Sequence, residues 1–385
     1  MSYTSLSPEI VKDKIVAVRV DYNVPIRDNK VTEPLRIEAS IPTLKYLIDN
    51  GAKRIHILSH LGRPKGVIDE KFSLTPVLPV LESLLGTSVT FRKDMTPSDD
   101  RIQLHENVRF HPGEKKNTSE CRAELQKIGA EVFVLDGFAV AHRAQASVVG
   151  LADTIPAYPG FLVESEIQAL SPYLSTEKIP GLAVIVSGLK METKVPVLKH
   201  FARIADHLMV GGGIANTLAV AEGFDVGNSF YEESFVETAR EVLEIAEAHS
   251  TGVHIPIDVV CGEGLDSEES VTVPLEDVIG DMMILDVGPH TVQSYEEILS
   301  HAKKIIWNGP VGVFEKKPFE NGTKLLAHFV SKQKNAETII GGGDTINALK
   351  YFEVDRENFS HISTGGGAML EFLQGKELPG IAIFK

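Results

Sequence analysis

The chain contains 385 residues, carries a net charge of −15 and has a mean hydropathy of +0.01. This length exceeds that of one ordinary core, so we expect two domains. The negative charge argues against a nucleic-acid partner, and the apolar runs are too short to predict a membrane span. Cys121 and Cys261 are the only cysteines. Their lack of metal-like spacing is typical of reduced thiols.

The N-terminal residues show neither the basic region nor the apolar region of a secretory signal, so we expect a cytoplasmic location. The first 165 residues are balanced in charge, and the whole acidic excess lies in the rest of the chain. A relatively basic first half is typical of an anion-binding domain in an acidic protein.

Short β-branched runs alternate with helical patterns through the first half. The runs predict strands at residues 15–20, 54–58 and 132–135. The patterns between them predict helices at 37–50, 74–85 and 119–128. Such alternation is typical of βαβ units and a parallel sheet.

The alternation continues in the second half. Further strands are predicted at 182–186, 206–210, 254–257, 283–285, 304–307, 338–340 and 361–363. We therefore predict an α/β protein with two doubly wound, Rossmann-like domains, residues 1–160 and 176–370. The helical stretch that follows Pro159 and Gly160 predicts a connecting helix over 161–175.

Charged and polar residues follow the strands or open the helices of the first half. They are Asp21, Asn23, Arg36, His60, Arg63, Arg109 and Arg143. Ligands of open parallel sheets bind at the carboxyl ends of the strands, and guanidinium groups bind phosphate and carboxylate bidentately. The set predicts a site for a small anion with several charges.

Three glycine triplets, 211–213, 341–343 and 365–367, end apolar runs in the second half, and each precedes a predicted helix. Glycine lets backbone N–H groups approach an anion closely, and the helix N-terminus adds to the attraction. With Asp344 directly behind the second triplet, this pattern predicts a polyphosphate and its metal ion. Lys190 and Lys194, four residues apart, follow another strand, and the turns of 307–315 are suited to wrapping a base and ribose.

These motifs closely resemble those of the phosphoglycerate kinase family, in the family's order and almost from end to end. They run from Val-Arg-Val-Asp-Tyr-Asn-Val-Pro at 18–25, through 59–64, 106–113, 141–143, 307–315, 341–345 and 363–368, to Gly-Lys-Glu-Leu-Pro-Gly at 375–380. The resemblance implies that residues 371–385 fold back onto the first domain. It implies a monomeric glycolytic and gluconeogenic enzyme that transfers a phosphoryl group reversibly between 1,3-bisphosphoglycerate and Mg-ADP, giving 3-phosphoglycerate and ATP.

By motif position, the resemblance assigns the first domain to 3-phosphoglycerate, with the substrate-binding residues Asp21, Asn23, Arg36, His60, Leu61, Gly62, Arg63, Arg109 and Arg143. It assigns the second domain to the nucleotide, with Lys190, Lys194, Gly211, Gly212, Gly213, Asn308, Pro310, Val313, Glu315, Gly342, Gly343, Asp344 and Thr345. Asp344 resembles the family's Mg²⁺ ligand. Arg36, Lys194, Gly366 and Gly367 resemble the groups that compensate charge during direct in-line transfer, after hinge bending closes the domains and excludes water.

The chain departs from the usual family pattern at six positions. Ser187 and Leu189 replace glycine and alanine, Val140 and Gln145 replace threonine and histidine, Asn216 replaces an aromatic residue, and His290 replaces a lysine. These changes bear on nucleotide affinity, base preference and turnover rather than on the reaction.

Other functional classes fit the sequence less well. A dinucleotide-dependent dehydrogenase would leave the arginines unexplained, and Asn216 stands where its fingerprint has a third glycine. A P-loop kinase needs a Gly-x4-Gly-Lys-Ser/Thr motif, which the sequence lacks. A family member retained as a binding or regulatory module stays open because of the altered residues, although Arg36, Lys194 and Asp344 are all present.

Overall fold

The computed structural model describes residues 3–96 and 98–384. The chain divides into two compact units. The first unit runs to Leu170 and resumes at Lys376, and the second unit comprises Ser171–Gly375.

The first unit is built on a parallel sheet. Its strands are β1 (Ile15–Val20), β2 (Ile26–Arg27), β3 (Lys30–Val31), β4 (Arg54–Leu58), β5 (Thr90–Arg92), β6 (Ile102–His105), β7 (Val132–Asp136) and β8 (Ala157–Pro159). Among the described residues, β2 and β3 form a small hairpin, and the other six strands pair in parallel in the order β5-β6-β4-β1-β7-β8. From Val16 onward β1 is buried, as expected for a strand covered on both faces.

Helices cover this sheet. They are α1 (Pro8–Val11), α2 (Leu35–Glu38), α3 (Ile41–Asp49), α4 (Leu78–Leu85), α5 (Ser119–Gln126) and α6 (Phe161–Leu170). Leu44 and Leu47 of α3 and Leu81 of α4 pack into one core with the strands. Strand β1 lies inside the sheet, with β4 beside it on one side and β7 on the other. The direction in which the chain adds strands to the sheet therefore reverses at β1.

The second unit repeats this plan. Its strands are β9 (Leu182–Ser187), β10 (His207–Gly211), β11 (Gly252–His254), β12 (Asp258–Gly262), β13 (Val271–Pro274), β14 (Met283–Val287), β15 (Lys304–Asn308), β16 (Glu337–Gly341) and β17 (His361–Ile362). Within the described ranges, six of them form a parallel sheet in the order β11-β10-β9-β15-β16-β17. The predicted α/β fold with two parallel sheets is thus confirmed.

The helices of the second unit follow its strands. They are α7 (Val195–Ile204), α8 (Gly212–Glu222), α9 (Val236–Ala248), α10 (Pro289–His301), α11 (Asn321–Val330), α12 (Gly343–Tyr351) and α13 (Gly367–Leu373). Three of them, α8, α12 and α13, begin within the three glycine triplets. The chain then enters α14 (Pro379–Ala382) of the first unit, where Gly380 N–H donates to the Ala141 carbonyl at 2.7 Å. Residues 371–375, which we had expected in the returning segment, belong to the second unit because α13 continues to Leu373.

The strand predicted at 283–285 does not join the parallel sheet. Strands β12, β13 and β14 form a separate antiparallel sheet, with its own small core around Val259, Cys261 and Leu275. The sequence alternation did not distinguish the run at 283–285 from the parallel strands, because short apolar runs carry no information about pairing direction, and it did not predict β12 and β13.

A buried carboxylate joins the end of β7 to the start of α6. Asp136 has no exposed surface, and its Oδ1 accepts a hydrogen bond from Leu162 N–H at 2.9 Å. Burial raises the pKa of Asp136 to about 7, well above the value of about 3.9 for an unfolded chain. The folded protein therefore binds this proton more tightly than the unfolded chain does. Because of this difference, the contribution of Asp136 to the free energy of unfolding decreases as the pH rises and is lost once the pH has passed through 7.

We expect Asp136→Asn to flatten this pH dependence, since the amide oxygen can still accept from Leu162 while the group no longer ionises. The free energy of unfolding of the wild type, relative to the variant, should fall with pH by up to about 1.4 kcal/mol per unit between roughly pH 5 and 7. Urea unfolding at several pH values measures the free energy of unfolding of both proteins. Parallel curves for the two proteins would contradict a titrating Asp136.

Candidate functional site

Side chains at the carboxyl ends of β1 and β4 form one hydrogen-bonded group in the first unit. Arg36 on α2 donates from Nη1 to Asp21 Oδ2 at 2.6 Å and to the Asn23 carbonyl at 3.3 Å. The Asn23 side chain accepts from the backbone N–H of Gly62 at 2.8 Å. Asp21 is buried, whereas Arg36 is one-third exposed, so the guanidinium keeps an open side.

His60 lies in the same group, and its partners define its tautomer. Arg19 Nη2 lies 3.2 Å from His60 Nδ1, and a guanidinium can only donate. Nδ1 therefore accepts, and the neutral ring carries its proton on Nε2. Burial first, and then Arg19, Arg109, Arg143 and Arg36, hold the pKa of His60 well below its ordinary value. The His60 ring is therefore a neutral hydrogen-bond donor and adds no positive charge to that of the arginines around it.

Arg109 has N–H donors that make no hydrogen bond among the described residues. Its side chain is buried, and Nη1 donates to the Gly62 carbonyl at 2.9 Å. Nε and Nη2 are buried without a hydrogen-bond partner among the described residues. Burial lowers the pKa of Arg109 to about 10, so it stays charged at neutral pH. Buried charged donors without partners are costly, and an anion beside them would satisfy them.

The other predicted residues of this group are placed as follows. Leu61 is buried, and its carbonyl accepts from Asn107 Nδ2 at 2.7 Å. Arg143 is half-buried, and its Nε donates to His142 Nε2 at 3.0 Å. Arg63 follows Gly62 with an exposed side chain.

Arg19 and the residues behind it were not among the predicted site residues. Arg19 has no exposed surface, and its Nε donates to Ser147 Oγ at 2.8 Å. That hydroxyl donates to Glu114 Oε1 at 2.5 Å. Burial raises the pKa of Glu114, and Arg19 opposes the rise. The available signal was a single arginine within the apolar strand Ile15–Val20, where a charge needs a buried partner.

In the second unit, the glycine turns line a cavity of about 920 Å³. The predicted nucleotide residues in its wall are Lys190, Lys194, Gly212, Gly213, Asn308, Pro310, Val313, Glu315, Gly342, Gly343, Asp344 and Thr345, and Gly366 and Gly367 join them. Gly211 instead ends β10, buried behind this wall. The wall also includes apolar residues that the sequence analysis did not single out, among them Phe230, Leu265, Met283, Phe314 and Leu370.

Lys194 is held at the cavity by Asn308. The ammonium group donates to Asn308 Oδ1, and burial lowers the pKa of Lys194 to about 8, with Asp344 opposing the shift. The Asn308 Nδ2 group is buried without a hydrogen-bond partner in the described structure. A cation and an amide donor thus lie side by side where an anionic ligand would gain from both.

Tight backbone turns bring β9, β15 and β16 together at this cavity. Gly309 has φ of +102°, and a Cβ on it would lie 1.9 Å from the Ser187 carbonyl, so only glycine fits. Ser187 Oγ donates to the Pro310 carbonyl at 2.6 Å. Thr345 Oγ1 accepts from Gly309 N–H at 2.7 Å and donates to the Gly341 carbonyl at 2.9 Å. Ser187, which is unusual for the family, therefore connects the end of β9 to the turn after β15 through this hydrogen bond.

The remaining departures differ in their surroundings. Val140 and Gln145 are buried in the first unit, and His290 is exposed, with Nδ1 3.2 Å from Asp258 Oδ2. Leu189 is exposed at the cavity, and Asn216 is buried beside it.

Neither a dedicated metal cluster nor a membrane span is found in the part of the chain that the structure describes. Its His, Cys, Asp and Glu side chains form no group of three or more that could hold a metal ion. Its helices are too short or too polar to cross a bilayer.

One unit of this α/β fold holds a cluster of arginines suited to an anion, and the other holds a glycine-lined cavity with two lysines. This combination is typical of a phosphotransferase with two substrates. A family model described as phosphoglycerate kinase matches residues 7–376. The phosphoglycerate kinase of Francisella tularensis subsp. tularensis is 47% identical over 392 residues, covering 100% of this chain and 99% of the relative. That of Cereibacter sphaeroides is 42% identical, with 99% of each covered.

Solved structures agree. Phosphoglycerate kinase from Coxiella burnetii superposes with a TM-score of 0.88 at 38% identity, covering 99% of this chain and 98% of that one. The enzyme from Pyrococcus horikoshii gives 0.82 at 32% identity, covering 97% and 96%. The chain therefore belongs to the phosphoglycerate kinase family, as the motifs predicted. The predicted enzyme class, a kinase with a carboxyl group as acceptor, is confirmed.

We expect NMR of the histidine rings to find His60 as the neutral Nε2–H tautomer from roughly pH 6.5, the ordinary pKa of histidine, to pH 8. The reason is that Arg19 occupies Nδ1 and burial disfavours the cation. Long-range ¹H–¹⁵N correlation spectra report the tautomer and its titration. A proton on Nδ1, or a titration within this range, would contradict the assignment.

Proposed function

We propose that this chain catalyses the reversible, Mg²⁺-dependent transfer of a phosphoryl group between 1,3-bisphosphoglycerate and ADP, giving 3-phosphoglycerate and ATP in glycolysis and gluconeogenesis. The observation that carries the proposal is the pair of buried Arg109 donors without a partner among the described residues, in the same connected group as Arg36 and His60. A small ligand with both a phosphate and a carboxylate offers two anionic groups to such a set.

In the first unit, which we propose as the 3-phosphoglycerate domain, the fixed groups have distinct tasks. Arg109 would bind an anionic oxygen with its two free donors, and the Nε2–H of His60 would donate one hydrogen bond without adding charge. Asp21 would hold Arg36 in place through their ion pair. Asn23 would keep the Gly62 turn in position through its bond to the backbone N–H.

In the second unit, which we propose as the nucleotide domain, the glycine turns and Lys194 would bind the phosphates. Backbone N–H groups at the starts of α12 and α13 favour negative charge. The apolar part of the cavity suits the base and ribose. A nucleotide has the same division into a charged end and an apolar end, which supports this orientation.

The residues present fit a Mg²⁺ ion that arrives with the nucleotide. Mg²⁺ typically keeps several waters and takes one or two protein carboxylates besides phosphate oxygens. Asp344 supplies one exposed carboxylate at the first turn of α12, in the cavity wall. When bound, the ion would neutralise phosphate charge. Asp344 would orient it, and Lys194 would bind the phosphate oxygens.

Phosphoryl transfer needs alignment and charge compensation more than covalent help. The leaving carboxylate of an acyl phosphate is stable, so no general base is required. We propose that Arg36, Lys194 and the Gly366 and Gly367 amides surround the transferring group after hinge bending brings the two bound substrates into line. Such closure would exclude the water that would otherwise hydrolyse the acyl phosphate. The cytoplasmic location and monomeric state stay predictions.

A coupled assay of the purified protein with ATP and 3-phosphoglycerate tests the proposal directly. Turnover that requires Mg²⁺ is the expected result. Binding of both substrates without turnover would instead favour the binding-module alternative, and absence of 3-phosphoglycerate binding would refute the site assignment.

We expect Arg36→Ala to lower kcat by about 10²–10⁴, because the guanidinium stabilises charge that develops in the transition state. Arg36→Lys should recover only part of this loss, since the planar fork is missing. Steady-state kinetics in both directions measure the effect. Arg27→Ala, at an exposed arginine of the β2–β3 hairpin, is the matched control. A raised KM with normal kcat would contradict the role of Arg36.

We expect Asp344→Asn to weaken Mg²⁺-dependent ADP binding by about tenfold or more, while 3-phosphoglycerate binding stays nearly unchanged. The amide keeps the size of the side chain but not the charge that the cation needs. Calorimetry with and without Mg²⁺ separates the two contributions. Asp277→Asn, at an exposed carboxylate outside the cavity wall, is the control. Equal loss of both ligands would point to misfolding instead.

A further inference from the structure

A cavity of about 610 Å³ lies within the first unit, and we call it the α5 cavity. Its wall is formed by residues from the segments 68–76, 93–95, 106–112 and 121–125 and by Asn29. None of the residues predicted to bind 3-phosphoglycerate belongs to this wall in the described structure. Val108 lines the cavity, whereas the next residue, Arg109, donates to the Gly62 carbonyl. The volume is typical of small-molecule sites, so the first unit offers a second place for a ligand.

Much of the wall of the α5 cavity is apolar. Val108 after β6 and Leu125 of α5 are almost completely buried, and the half-buried side chains of Met95 and Phe110 extend this surface. Ile68 also lines the cavity, yet its side chain is 78% exposed. Cavities lined by apolar side chains with a few fixed polar groups are typical of ligand sites. The α5 cavity would therefore accept an apolar ligand body.

The charged groups in the same wall are mostly carboxylates. They belong to Glu70, Asp94, Glu106 and Glu124, and Lys93 is the only lysine or arginine beside them in the described wall. Asp94 forms an ion pair with Arg92 at 3.2 Å, and Glu124 forms one with Lys127 at 2.6 Å. No ion pair of Glu106 is found among the described residues, so the wall keeps negative charge that favours a cation over an anion.

The Glu106 carboxylate is held in a fixed orientation by neutral donors. Its Oε1 accepts from Leu74 N–H at 2.9 Å and from Asn107 N–H at 2.8 Å. Its Oε2 accepts from Ser73 Oγ at 2.7 Å. An ionised carboxylate has about four acceptor positions, so Oε2 can accept one more hydrogen bond. An ammonium group would supply both that hydrogen bond and the missing positive charge.

We infer that the α5 cavity is a binding site for a small organic ammonium ion with an apolar body. The ammonium group donates to Glu106 Oε2, and the body packs on Val108, Phe110 and Leu125. The inference goes beyond the proposed function and does not depend on it, because the two sites have no residue in common. The opposite choice, an organic anion bound by Lys93, is an outcome of the test below.

Three probes that have the same phenyl body test the charge preference. They are 2-phenylethylamine, which is protonated at neutral pH, the uncharged 2-phenylethanol and the anionic 3-phenylpropionate. Calorimetry should give the amine a Kd of about 1 mM or tighter. The alcohol should bind about fivefold or more weakly, because a charge-assisted hydrogen bond is stronger than a neutral one. The acid should bind least.

Amide NMR spectra locate the bound amine. The N–H signals of Val108 and Leu125 should shift as the amine saturates the protein. The Kd of the amine should be the same with and without saturating 3-phosphoglycerate, because the α5 cavity is separate from the proposed substrate site.

Two variants separate the charged contact from the apolar one. Glu106→Gln keeps an acceptor oxygen for the two backbone N–H groups but removes the charge, so the amine should bind only as tightly as the alcohol. Ile68→Ala, at an exposed side chain, should weaken the amine and the alcohol by a similar factor.

Glu82→Gln is the matched control for the charge. Glu82 is also half-buried and accepts from a backbone N–H, that of Val89 at 2.9 Å, but it lies outside the described wall of the α5 cavity. This variant should bind all three probes as the wild type does. Thermal unfolding verifies that each variant is folded.

Four results would overturn the inference. They are a wild type that does not bind the amine, equal affinities for the amine and the alcohol, tighter binding of the acid, and an amine affinity that is unchanged in folded Glu106→Gln. Displacement of the amine by 3-phosphoglycerate would also overturn it, since the two sites would then overlap. All these results leave the proposed function intact, and failure of the coupled assay would refute that function without affecting the α5 cavity.

Discussion

Parallel pairing of strands is the constraint on which both candidate sites depend. It sends the carboxyl end of every strand in a main sheet to the same edge, so residues distant in sequence become neighbours there. In the first unit this gathers Asp21, His60 and Arg109. In the second it gathers the turns after β9, β15 and β16. The separate antiparallel sheet contributes apolar residues of β14 to the wall of the cavity in the second unit.

Buried charged groups determine the hydrogen-bonding geometry of the first candidate site. Arg19 has no exposed surface, yet it occupies His60 Nδ1 and is connected through Ser147 to Glu114. A buried ionic network is a poor source of stability because of its desolvation cost. Its consequence here is geometric. It fixes the direction in which the His60 proton points and leaves Arg109 as the cation with unpaired donors.

The two candidate sites present different groups to an anionic ligand. The first unit uses guanidinium and imidazole groups, which suit a small ligand with several charges at fixed positions. The second uses backbone N–H groups exposed by glycine, together with Lys194, which suit a flexible polyphosphate. The wall of the cavity in the second unit also contains apolar side chains, among them Phe230 and Leu265. The division matches the two chemically different substrates of the proposed reaction.

The sequence by itself determined the α/β class and the family, and it predicted most of the residues that line the two candidate sites, because apolar periodicity and short motifs are local properties. It also indicated Asp344, which stands directly behind a glycine triplet, and Lys194, which follows a strand four residues after Lys190. Only the tertiary structure decided the pairing direction of β14, the partner of His60 Nδ1 and the place of Phe230. Each of these depends on contacts between segments far apart along the chain. Arg19 lies within one of the family's motifs, but its role follows from which buried atoms the fold places beside it.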